Sequence, residues 1–556
     1  MPAASTVSAE PTRGSRELPD QLTCDVAIVG YGPVGMTCGA LLAQLGLDVV
    51  IVERFPTRFD LPRAGHLDGE TMRTFQRLGI AEAVELIASP MLMWELVTAD
   101  REVLTSIKLG EGGAGWKEDY LCYQPELEAI VDARARELGV RVFMGVTAQR
   151  IDQDEERVRV VARPTHDADA RPCLIDAAYL IGADGAGSFV RSAVGVERRD
   201  LGFSAMDHLV VDFEHNDPDR DLPQLPEVYQ VLDIKRPSLA GRWNGGRWSR
   251  WEFAAREGES KEFLESAATV WNLIAAWGIT PEDGTINRRA VYSFESTLAD
   301  VWRVGRVLLM GDAAHTMPPF MGQGMLSGIR DAVNLSWKLA AVLAGNADDR
   351  LLDTYQAERA PHVNDIIHMS IALGETVLIT DPEQARIRDE LLRSGRGPRP
   401  PLFPRLTAGI VRPLDHPDAI DAAEADGRPA RQARVALDGH VDRLDNHFQR
   451  PGWRIVSRHA LPAGLLGPRQ QELVRALDFQ IVHATRGNVP DSYLDLDGEY
   501  DLWFRQTGRK AFVERPDNYI FGTVRHIGEL PILLDELADA LAAHGWRGIA
   551  DRALST

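Results

Sequence analysis

The chain has 556 residues, 44% of them hydrophobic, so it is long enough for about three to four domains with large buried cores. Its 82 acidic and 61 basic residues give a formal net charge of −21, which argues against a general nucleic-acid or anionic-membrane surface. The four cysteines, at positions 24, 38, 122 and 173, have no metal-ligand spacing. They indicate a reduced, cytoplasmic setting and no metal site.

The first residues are expected to lie outside the folded domains. Residues 1 to 20 are polar and rich in Pro, Ser and Glu, and they lack the apolar core of a signal peptide, so residues 1 to 22 are predicted to be a disordered tail. The longest apolar stretch, residues 26 to 52, is interrupted by glycines, a proline and Gln44. No membrane-spanning segment is therefore expected.

A G-x-G-x-x-G motif formed by Gly30, Gly32 and Gly35 lies between an apolar run at residues 26 to 29 and a helix-compatible stretch. Gly30 permits a tight turn, Gly32 lets the backbone approach a pyrophosphate, and Gly35 allows close helix packing. A second apolar run ends at Glu53, where a carboxylate suits ribose hydroxyls and disfavours a 2′-phosphate. The pattern predicts a dinucleotide-binding β-α-β unit that takes FAD or NAD but not NADP.

A second G-x-G-x-x-G match, at Gly110, Gly112 and Gly115, provides an internal control. It is followed by a polar segment at residues 116 to 119 rather than by an apolar-periodic helix, and Glu111 would repel phosphate. We therefore expect this second match to be a surface loop.

The middle of the chain changes from mixed to antiparallel-sheet patterns. A strand-like run at residues 179 to 181 leads into the Asp184-Gly185 turn, which completes the features of one α/β domain. Between about 203 and 290, apolar and polar residues alternate as in an antiparallel sheet. The aromatic residues of this region fit the wall of an aromatic pocket or an ordinary core; they are Trp243, Trp248, Trp251 and Phe253.

The third signature is a buried-strand run that ends at Gly311-Asp312 and is followed by a Gly322-Gln323-Gly324 segment before a long helix. A glycine-rich helix N-terminus offers N–H donors and a positive dipole end to the negative charge that develops on a reduced flavin ring. Asp312 is placed to accept hydrogen bonds from ribityl hydroxyls. Together with the first two signatures, this one narrows the cofactor to FAD.

With these motifs, residues 24 to about 375 resemble the class A FAD-dependent aromatic monooxygenases. Four segments are similar to the 3-(3-hydroxyphenyl)propionate hydroxylase branch, which is related to phenol and polyketide hydroxylases; they are residues 62–64, 124–128, 250–253 and 322–332. The resemblance implies that NADH or NADPH reduces FAD. It further implies that O₂ adds to give a flavin C4a-hydroperoxide, whose terminal oxygen is transferred to a phenolic ring.

The resemblance also assigns a set of cofactor-binding residues. The set consists of Gly30, Gly32, Pro33, Val34, Gly35, Glu53, Arg54, Arg63, Gln124, Asp184, Asp312, Pro319, Gly322, Gly324, Met325 and Leu326. Within it, Glu53 would hold the adenosine ribose, Arg63 and Gln124 the phosphate and ribityl region, and residues 324 to 326 the isoalloxazine. For Asp184, a turn-forming role remains an equal alternative.

Asp68 is the candidate catalytic base, since its segment is similar to the phenol hydroxylase segment in which an aspartate lies near the substrate hydroxyl. A base would help because a phenolate pushes electron density into the attacked carbon. The alternative is that Asp68 is the N-cap of the following helix. His66 and His315 are interpreted as structural.

The predicted fold class is α/β, with a Rossmann-like FAD-binding domain, an antiparallel-sheet substrate domain and a C-terminal thioredoxin-like domain. The boundaries are 23–202 and 289–385 for the FAD-binding domain, 203–288 for the substrate domain, 386–405 for a linker and 406–556 for the C-terminal domain. The last domain contains no cysteine, so we expect packing or dimerisation and not thiol chemistry.

The predicted partners are a small phenolic substrate and O₂, with no nucleic acid and no membrane, and a homodimer is one expected assembly. Two alternatives stay open for the activity. One is hydroxylation of a polycyclic aromatic polyketide, and the other is a flavin dehydrogenase or oxidase without oxygen insertion.

Overall fold

The computed structural model describes residues 18–58, 64–110, 112–167, 169–203, 206–223, 225, 227–397, 403–413 and 425–547. Most of the predicted tail and the candidate Arg63 lie outside these residues. The strands of the first segment are β1 (Gln21–Val29), β2 (Val49–Glu53), β3 (His66–Asp68), β4 (Ala88–Pro90), β5 (Met93–Val97), β6 (Val103–Lys108), β7 (Asp119–Cys122), β8 (Arg141–Met144), β9 (Val146–Gln153), β10 (Val158–Pro164), β11 (Cys173–Gly182) and β12 (Arg198–Asp200). Its helices are α1 (Pro33–Gln44), α2 (Gly69–Arg77), α3 (Ala81–Glu85), α4 (Gln124–Glu137) and α5 (Phe189–Ala193).

The remaining elements follow in three groups. The middle segment has β13 (Met206–His215), β14 (Val228–Val231), β15 (Ser238–Trp243), β16 (Trp248–Ala254), α6 (Lys261–Leu264), α7 (Ala267–Ala275) and β17 (Gly284–Phe294). The next has β18 (Thr297–Ala299), β19 (Arg303–Val304), β20 (Val307–Leu309), β21 (His315–Thr316), α8 (Gly324–Leu343), α9 (Arg350–Val377) and α10 (Pro382–Arg393). The last has β22 (Arg434–Leu437), β23 (His440–Arg443), β24 (Arg454–Ser457), α11 (Pro468–Ala476), β25 (Gln480–Thr485), β26 (Tyr493–Asp495), α12 (Glu499–Thr507), β27 (Ala511–Glu514), β28 (Ile520–Val524) and α13 (Leu530–Ala543).

The first sheet is a mainly parallel sheet that carries the β-α-β unit predicted from the glycine motif. Its central order is β20-β11-β1-β2-β8, and β1 pairs in parallel with both β11 and β2. Strand β20, which belongs to the segment after the middle sheet, returns to pair with β11. The ends of β1, β11 and β20 therefore lie side by side, and the chain leaves these ends at the three predicted motifs.

The second sheet has the order β17-β13-β16-β15-β14-β5-β6, and it is mostly antiparallel. Strands β5 and β6 come from the first segment of the chain, and β5 joins the sheet in parallel with β14. β17 continues to Phe294, beyond the predicted boundary at residue 288. The second sheet is thus larger than residues 203 to 288 alone supply.

The C-terminal part is a third sheet with the order β23-β22-β26-β25-β24-β27-β28. Its apolar core includes Trp453 and Leu537 and also Trp337 of α8, so α8 is shared between the first and the last domain. Helix α10 occupies part of the predicted linker. The second glycine match is docked on the C-terminal part, since Gln432 N donates to Gly113 O at 2.8 Å.

Candidate active site

A cavity of about 2430 Å³ lies between the first and second sheets, and residues of the C-terminal part close one side of it. Its lining includes most of the residues implied by the resemblance: Gly30, Gly32, Pro33, Val34, Glu53, Arg54, Gln124, Asp184, Asp312, Pro319, Gly322, Gly324 and Met325. Asp68 also lines it. The structure therefore brings together at one cavity motifs that are far apart in sequence.

The turn after β1 has the geometry that its glycines predict. Gly30 has a φ of +106°, and a Cβ there would lie 2.3 Å from Ala183 O. A Cβ on Gly35 would lie 2.2 Å from Gly30 O, which explains why the helix can pack so closely. A Cβ on Gly32 would meet no atom within 4 Å, because this residue faces the cavity. The N-terminus of α1 is thus open to a pyrophosphate.

Glu53, at the end of β2, is fixed by two backbone donors. Its Oε2 accepts the Tyr31 N–H at 2.8 Å and its Oε1 accepts the Phe55 N–H at 2.9 Å. Each carboxylate oxygen keeps lone pairs for a further donor, as hydrogen bonds from ribose hydroxyls require. Arg54 is exposed beside it, with its guanidinium 4.9 Å from the Phe55 ring centroid.

Asp312 lies in a 3-10 turn, Gly311–Ala313, with its side chain exposed to the cavity while both neighbours are buried. Asp331 of α8 fixes this turn from inside the core. It accepts the Gly311 N–H at 3.1 Å and pairs with His315 at 2.7 Å. His315 is therefore structural, as predicted, and the turn presents a carboxylate where a polyol chain can bind.

Helix α8 begins at Gly324 after a left-handed Gly322 with a φ of +62°. His66 lies against this turn, with 3.4 Å between its Nδ1 and Gly322 O. Its Nε2 is 2.5 Å from Asp119 Oδ1. Burial alone would lower the pKa of His66, but the Asp119 carboxylate raises it above its usual value. The imidazole thus holds the segment that precedes α8, with a stronger pairing than the sequence indicated.

Several predicted residues have side chains that are already engaged. The Asp184 carboxylate accepts hydrogen bonds from the Ser188 hydroxyl at 2.5 Å and from the Val190 N–H at 3.0 Å. These bonds hold the turn that follows, as the turn-forming alternative for Asp184 predicts. Burial, which outweighs these hydrogen bonds, raises the pKa of Asp184. Gln124 Oε1 accepts the Ala64 N–H at 2.6 Å. Any cofactor role of Asp184 and Gln124 would use atoms that also hold neighbouring loops.

Asp68 is the N-cap of α2, since its Oδ1 accepts the Thr71 N–H at 2.8 Å. Its Oδ2 pairs with Arg330 of α8. Burial alone would raise the pKa of Asp68, but Arg330 and the Thr71 donors hold it below its usual value. The N-cap alternative is thereby confirmed, and the catalytic role of Asp68 stays a prediction.

Two other residues of the predicted set face away from the cavity. Leu326 is fully buried in the core of the first domain, so only its backbone is available to a bound ring. Gly35 lies at the contact between α1 and the preceding turn, where its predicted packing role applies.

The second sheet forms the opposite wall, and sequence reasoning did not assign its charged residues. Arg250 of β16 donates from Nε to Asp212 Oδ1 at 2.7 Å, and Arg288 Nη1 is 3.5 Å from Asp212 Oδ2. Glu252 follows two positions after Arg250 on the same strand and also lines the cavity. The alternation of β16 was the available signal, because residues 250 and 252 must share one face.

The aromatic residues of this region divide between the two expected roles. Trp251 and Phe253 belong to the core on the far face of the sheet. Trp243 lines the cavity, and Trp248 stacks on Tyr123 with ring centroids 3.8 Å apart. Both the pocket-wall and the core interpretations therefore hold, each for different residues.

The described residues fit FAD because the open glycine turn, the fixed Glu53 carboxylate, the cavity-facing Asp312 and the N-terminus of α8 line one continuous space. These features are those of an FAD-binding protein. Residues 23–370 match the family described as FAD binding domain, and residues 427–540 match the HcaD C-terminal domain.

The chain is 37% identical over 528 residues to a probable NADH-specific resorcinol 4-hydroxylase of Rhodococcus jostii (strain RHA1), covering 93% of this chain and 95% of the relative. It is 36% identical to 3-(3-hydroxy-phenyl)propionate/3-hydroxycinnamic acid hydroxylase 1 of Burkholderia vietnamiensis (strain G4 / LMG 22486), covering 94% and 92%. The chain therefore belongs to the FAD-dependent aromatic hydroxylases.

Solved structures show the same fold. The flavin-dependent monooxygenase PieE, in complex with FAD and substrate, superposes with a TM-score of 0.77 at 21% identity and covers 94% of this chain and 99% of its own. Aklavinone-11 hydroxylase gives a TM-score of 0.74 at 23% identity, with 93% and 99% coverage. Within the described residues, no helix is long and apolar enough to cross a membrane, and no group of three or more His, Cys, Asp or Glu side chains could hold a metal ion.

Proposed function

We propose that this enzyme hydroxylates a small, uncharged phenol of the resorcinol type and uses NADH as the co-substrate. The observation that carries the proposal is the charge balance of the sheet wall. Arg250 is bound by Asp212 in a two-point ion pair, with donor–acceptor distances of 2.7 and 3.3 Å. The charged groups of this wall are Arg250, Arg288, Asp212 and Glu252. With both carboxyl groups ionised, these four side chains present no net charge to the ring of a bound substrate.

The proposal agrees with the relative that resembles the chain over almost its whole length, which is described as an NADH-specific resorcinol 4-hydroxylase. It also agrees with the apolar side chains that surround the charged residues on the same wall. Val210, Leu239 and Trp243 line the cavity and would contact the faces and edges of a phenolic ring. Such contacts exclude water from the ring and position it by shape.

Bound FAD would supply the electrons from NADH and the activation of O₂. The chain would hold the adenosine ribose at Glu53, the pyrophosphate at the N-terminus of α1 and the ribityl hydroxyls at Asp312. The N-terminus of α8 would direct its N–H groups at the edge of the ring that gains negative charge on reduction. His66 would support that edge indirectly, because it contacts Gly322 O.

An arylpropionate is the second candidate substrate, and Arg288 favours it. The Nε of Arg288 has no hydrogen-bond partner among the described residues, and its guanidinium lies 4.4 Å from the Tyr292 ring centroid. An unsatisfied buried donor of this kind is suited to a substrate carboxylate. This candidate agrees with the Burkholderia vietnamiensis relative.

The C-terminal part is proposed to have a thioredoxin-like topology. Its central strands follow the order β25-β24-β27-β28, with β24 parallel to β25 and antiparallel to β27. The α11 crossover joins the parallel pair, and α13 follows the last strand. A homodimer and a cytoplasmic location stay predictions.

The test compares resorcinol with 3-(3-hydroxyphenyl)propionate under air, using the purified holoenzyme and either NADH or NADPH. Hydroxylated product and hydrogen peroxide are both quantified. Coupled product from resorcinol with NADH supports the proposal, and coupled product from the propionate alone supports the second candidate. Nicotinamide oxidation that needs no O₂, or that gives peroxide with every phenol, would favour a dehydrogenase or an oxidase instead.

A further inference from the structure

Glu252 is a carboxyl group of the sheet wall that has a long ion pair with Arg250 but accepts no hydrogen bond among the described residues. It lies on the cavity side of β16, with Val210 opposite it on β13 and Leu239 opposite it on β15. Its side chain is 17% exposed, and it makes no hydrogen bond within the part of the chain that the structure describes. Its nearest cation is Arg250, with 3.8 Å between Nη1 and Glu252 Oε1.

Three other acidic groups in or behind the cavity lining are held by partners. Asp68 caps α2 and pairs with an arginine of α8, and Asp119 pairs with His66 at 2.5 Å. Asp212 is bound by Arg250. A base needs a lone pair for the proton that it takes, and each Asp68 oxygen already accepts a hydrogen bond, from Thr71 or from Arg330, whereas Glu252 accepts none among the described residues.

A chain of contacts connects the wall that carries Glu252 with the turn that precedes α8. A Cβ on Gly65 would lie 3.6 Å from Arg250 Nη1 and 3.5 Å from the Trp243 ring. The next residue, His66, contacts Gly322 O. The segment of β3 thus joins the wall that carries Glu252 to the turn where the reactive ring is expected.

We infer that Glu252 is the group that accepts the proton of the substrate phenol, and this inference rests on the proposed function. The phenolic O–H bond breaks, the proton forms a bond to a Glu252 carboxylate oxygen, and the electron pair stays on the phenolate oxygen. The resulting phenolate donates electron density to the ring carbon that is hydroxylated. The proton then returns to the oxygen of the product, so the step needs no oxidant or reductant of its own.

The electrostatic surroundings suit this role. Burial and, to a smaller extent, the Asp212 carboxylate raise the pKa of Glu252. Arg250 and Arg288 lower it, but the resulting pKa is above the usual value. The facing residue on β15, Leu239, carries no charge. A carboxyl with a raised pKa is a stronger proton acceptor than an exposed one, and its ionisation lies closer to neutral pH. The activity is therefore expected to rise with pH as Glu252 ionises.

The experiment compares wild-type holoenzyme with Glu252→Gln, with resorcinol as the probe. In wild type, kcat and the affinity of the oxidised holoenzyme for resorcinol, measured without NADH by the change in flavin absorbance, should both increase with pH through the ionisation of Glu252. In E252Q, both pH dependences should disappear, and kcat should fall by roughly 100- to 10,000-fold. The KM should change much less than kcat.

Two further variants separate a catalytic loss from a structural one. The control Glu214→Gln alters a carboxyl group on β13 of the same sheet. Glu214 pairs with Arg247, is 33% exposed and does not line the cavity, so this variant should behave like wild type. Asp68→Asn tests the base predicted from the sequence. Because the fold raises the pKa of Glu252, its ionised form lowers stability at neutral pH, so E252Q should melt at or above the wild-type temperature.

The outcomes distinguish the two proposals. If wild type converts no phenol to hydroxylated product, the proposed function is overturned. If wild type is active but E252Q keeps the wild-type pH profiles of kcat and resorcinol binding, the inference about Glu252 is overturned alone. The same conclusion follows if D68N, and not E252Q, removes these profiles.

Discussion

Glu358 of α9 and Arg515 of the C-terminal part form an ion pair with 2.6 Å between Oε2 and Nη2, and neither side chain is exposed to solvent. Lys338 of α8 donates to the same carboxylate oxygen at 2.8 Å. One buried carboxylate therefore connects two long helices of the first domain to the C-terminal part. Since α8 begins at the cavity, this contact ties the C-terminal part to the cofactor site.

Replacing Glu358 with Gln is expected to lower the free energy of unfolding by about 3–5 kcal/mol, because Lys338 would remain buried without its counter-charge and Arg515 would keep only Asp517. Denaturant unfolding followed by tryptophan fluorescence measures this change. Glu383→Gln is the control, since Glu383 pairs with Arg386 on an exposed face of α10. An unchanged stability in E358Q would contradict the importance of the pair.

The same pair should make stability depend on pH. Burial alone would raise the pKa of Glu358, but Arg515 and Lys338 hold it well below its usual range. Because the pKa of Glu358 is lower in the folded than in the unfolded protein, its ionised form stabilises the fold at pH values above the unfolded-state pKa. This stabilisation is lost as the pH falls towards and through the folded-state pKa. The difference in melting temperature between wild type and E358Q should therefore shrink in acid, and a constant difference would contradict this assignment.

Gly32→Ala should weaken FAD binding without harming the fold. The new Cβ would meet no protein atom within 4 Å, but it would fill space where the pyrophosphate is expected. Titration of apoprotein by flavin fluorescence should show a Kd raised by roughly tenfold or more, equivalent to about 1.4 kcal/mol. Gly110→Ala is the matched control, because its Cβ also meets nothing within 4 Å but the residue lies in the other glycine match. Equal effects of the two variants would contradict the assignment of the first motif.

Glu53→Ala should raise the Kd for FAD by roughly 10- to 100-fold, because a charge-assisted hydrogen bond of its carboxylate to ribose, worth about 1.5–3 kcal/mol, would be lost. The same flavin fluorescence titration measures the change. Glu137→Ala removes a carboxylate at the exposed end of α4 and should leave the Kd unchanged. Full FAD affinity in E53A would exclude Glu53 from the cofactor site.

Asp119→Asn should loosen the turn before α8. Pairing with Asp119 raises the pKa of His66 in the folded protein. The pair therefore stabilises the fold fully at pH values below the pKa of histidine in the unfolded chain, and this stabilisation is lost as the pH rises through the folded-state pKa of His66. The stability advantage of wild type over D119N should thus be greatest in mild acid and decline in alkaline solution. Melting curves across this range measure it, and an advantage that grows with pH would refute the assignment.

The β-α-β unit could be predicted from the sequence because its signals are local. Gly30, Gly35 and Glu53 are related by the fixed geometry of a strand, a turn and a helix, and such geometry imposes residue types at set positions. The same holds for the helix after Gly324, whose apolar stripe has the helical period. The family and the cofactor followed from the order of these local motifs.

Contacts between distant segments could not be predicted in this way. From the sequence, β5 was assigned to the FAD-binding domain, but it pairs with β14 of the second sheet. The loop around Gly113 was predicted to be a surface loop, but it accepts a hydrogen bond from Gln432 of the C-terminal part. Both contacts depend on register and packing between segments that are far apart along the chain. No local period or spacing encodes them.

By itself, the sequence determined the class of enzyme, the cofactor and the elements that hold it, because glycine turns, helix starts and strand alternation are written in neighbouring residues. Only the tertiary structure decided which side chains pair with the carboxyl groups at the cavity. Asp68, the base predicted from the sequence, pairs with Arg330, which is distant in sequence. The alternation of β16 indicates only that Glu252 shares a face with Arg250, whereas the apolar residues opposite it on two other strands depend on the register of the sheet. The chemical state of a buried side chain depends on what surrounds it in space.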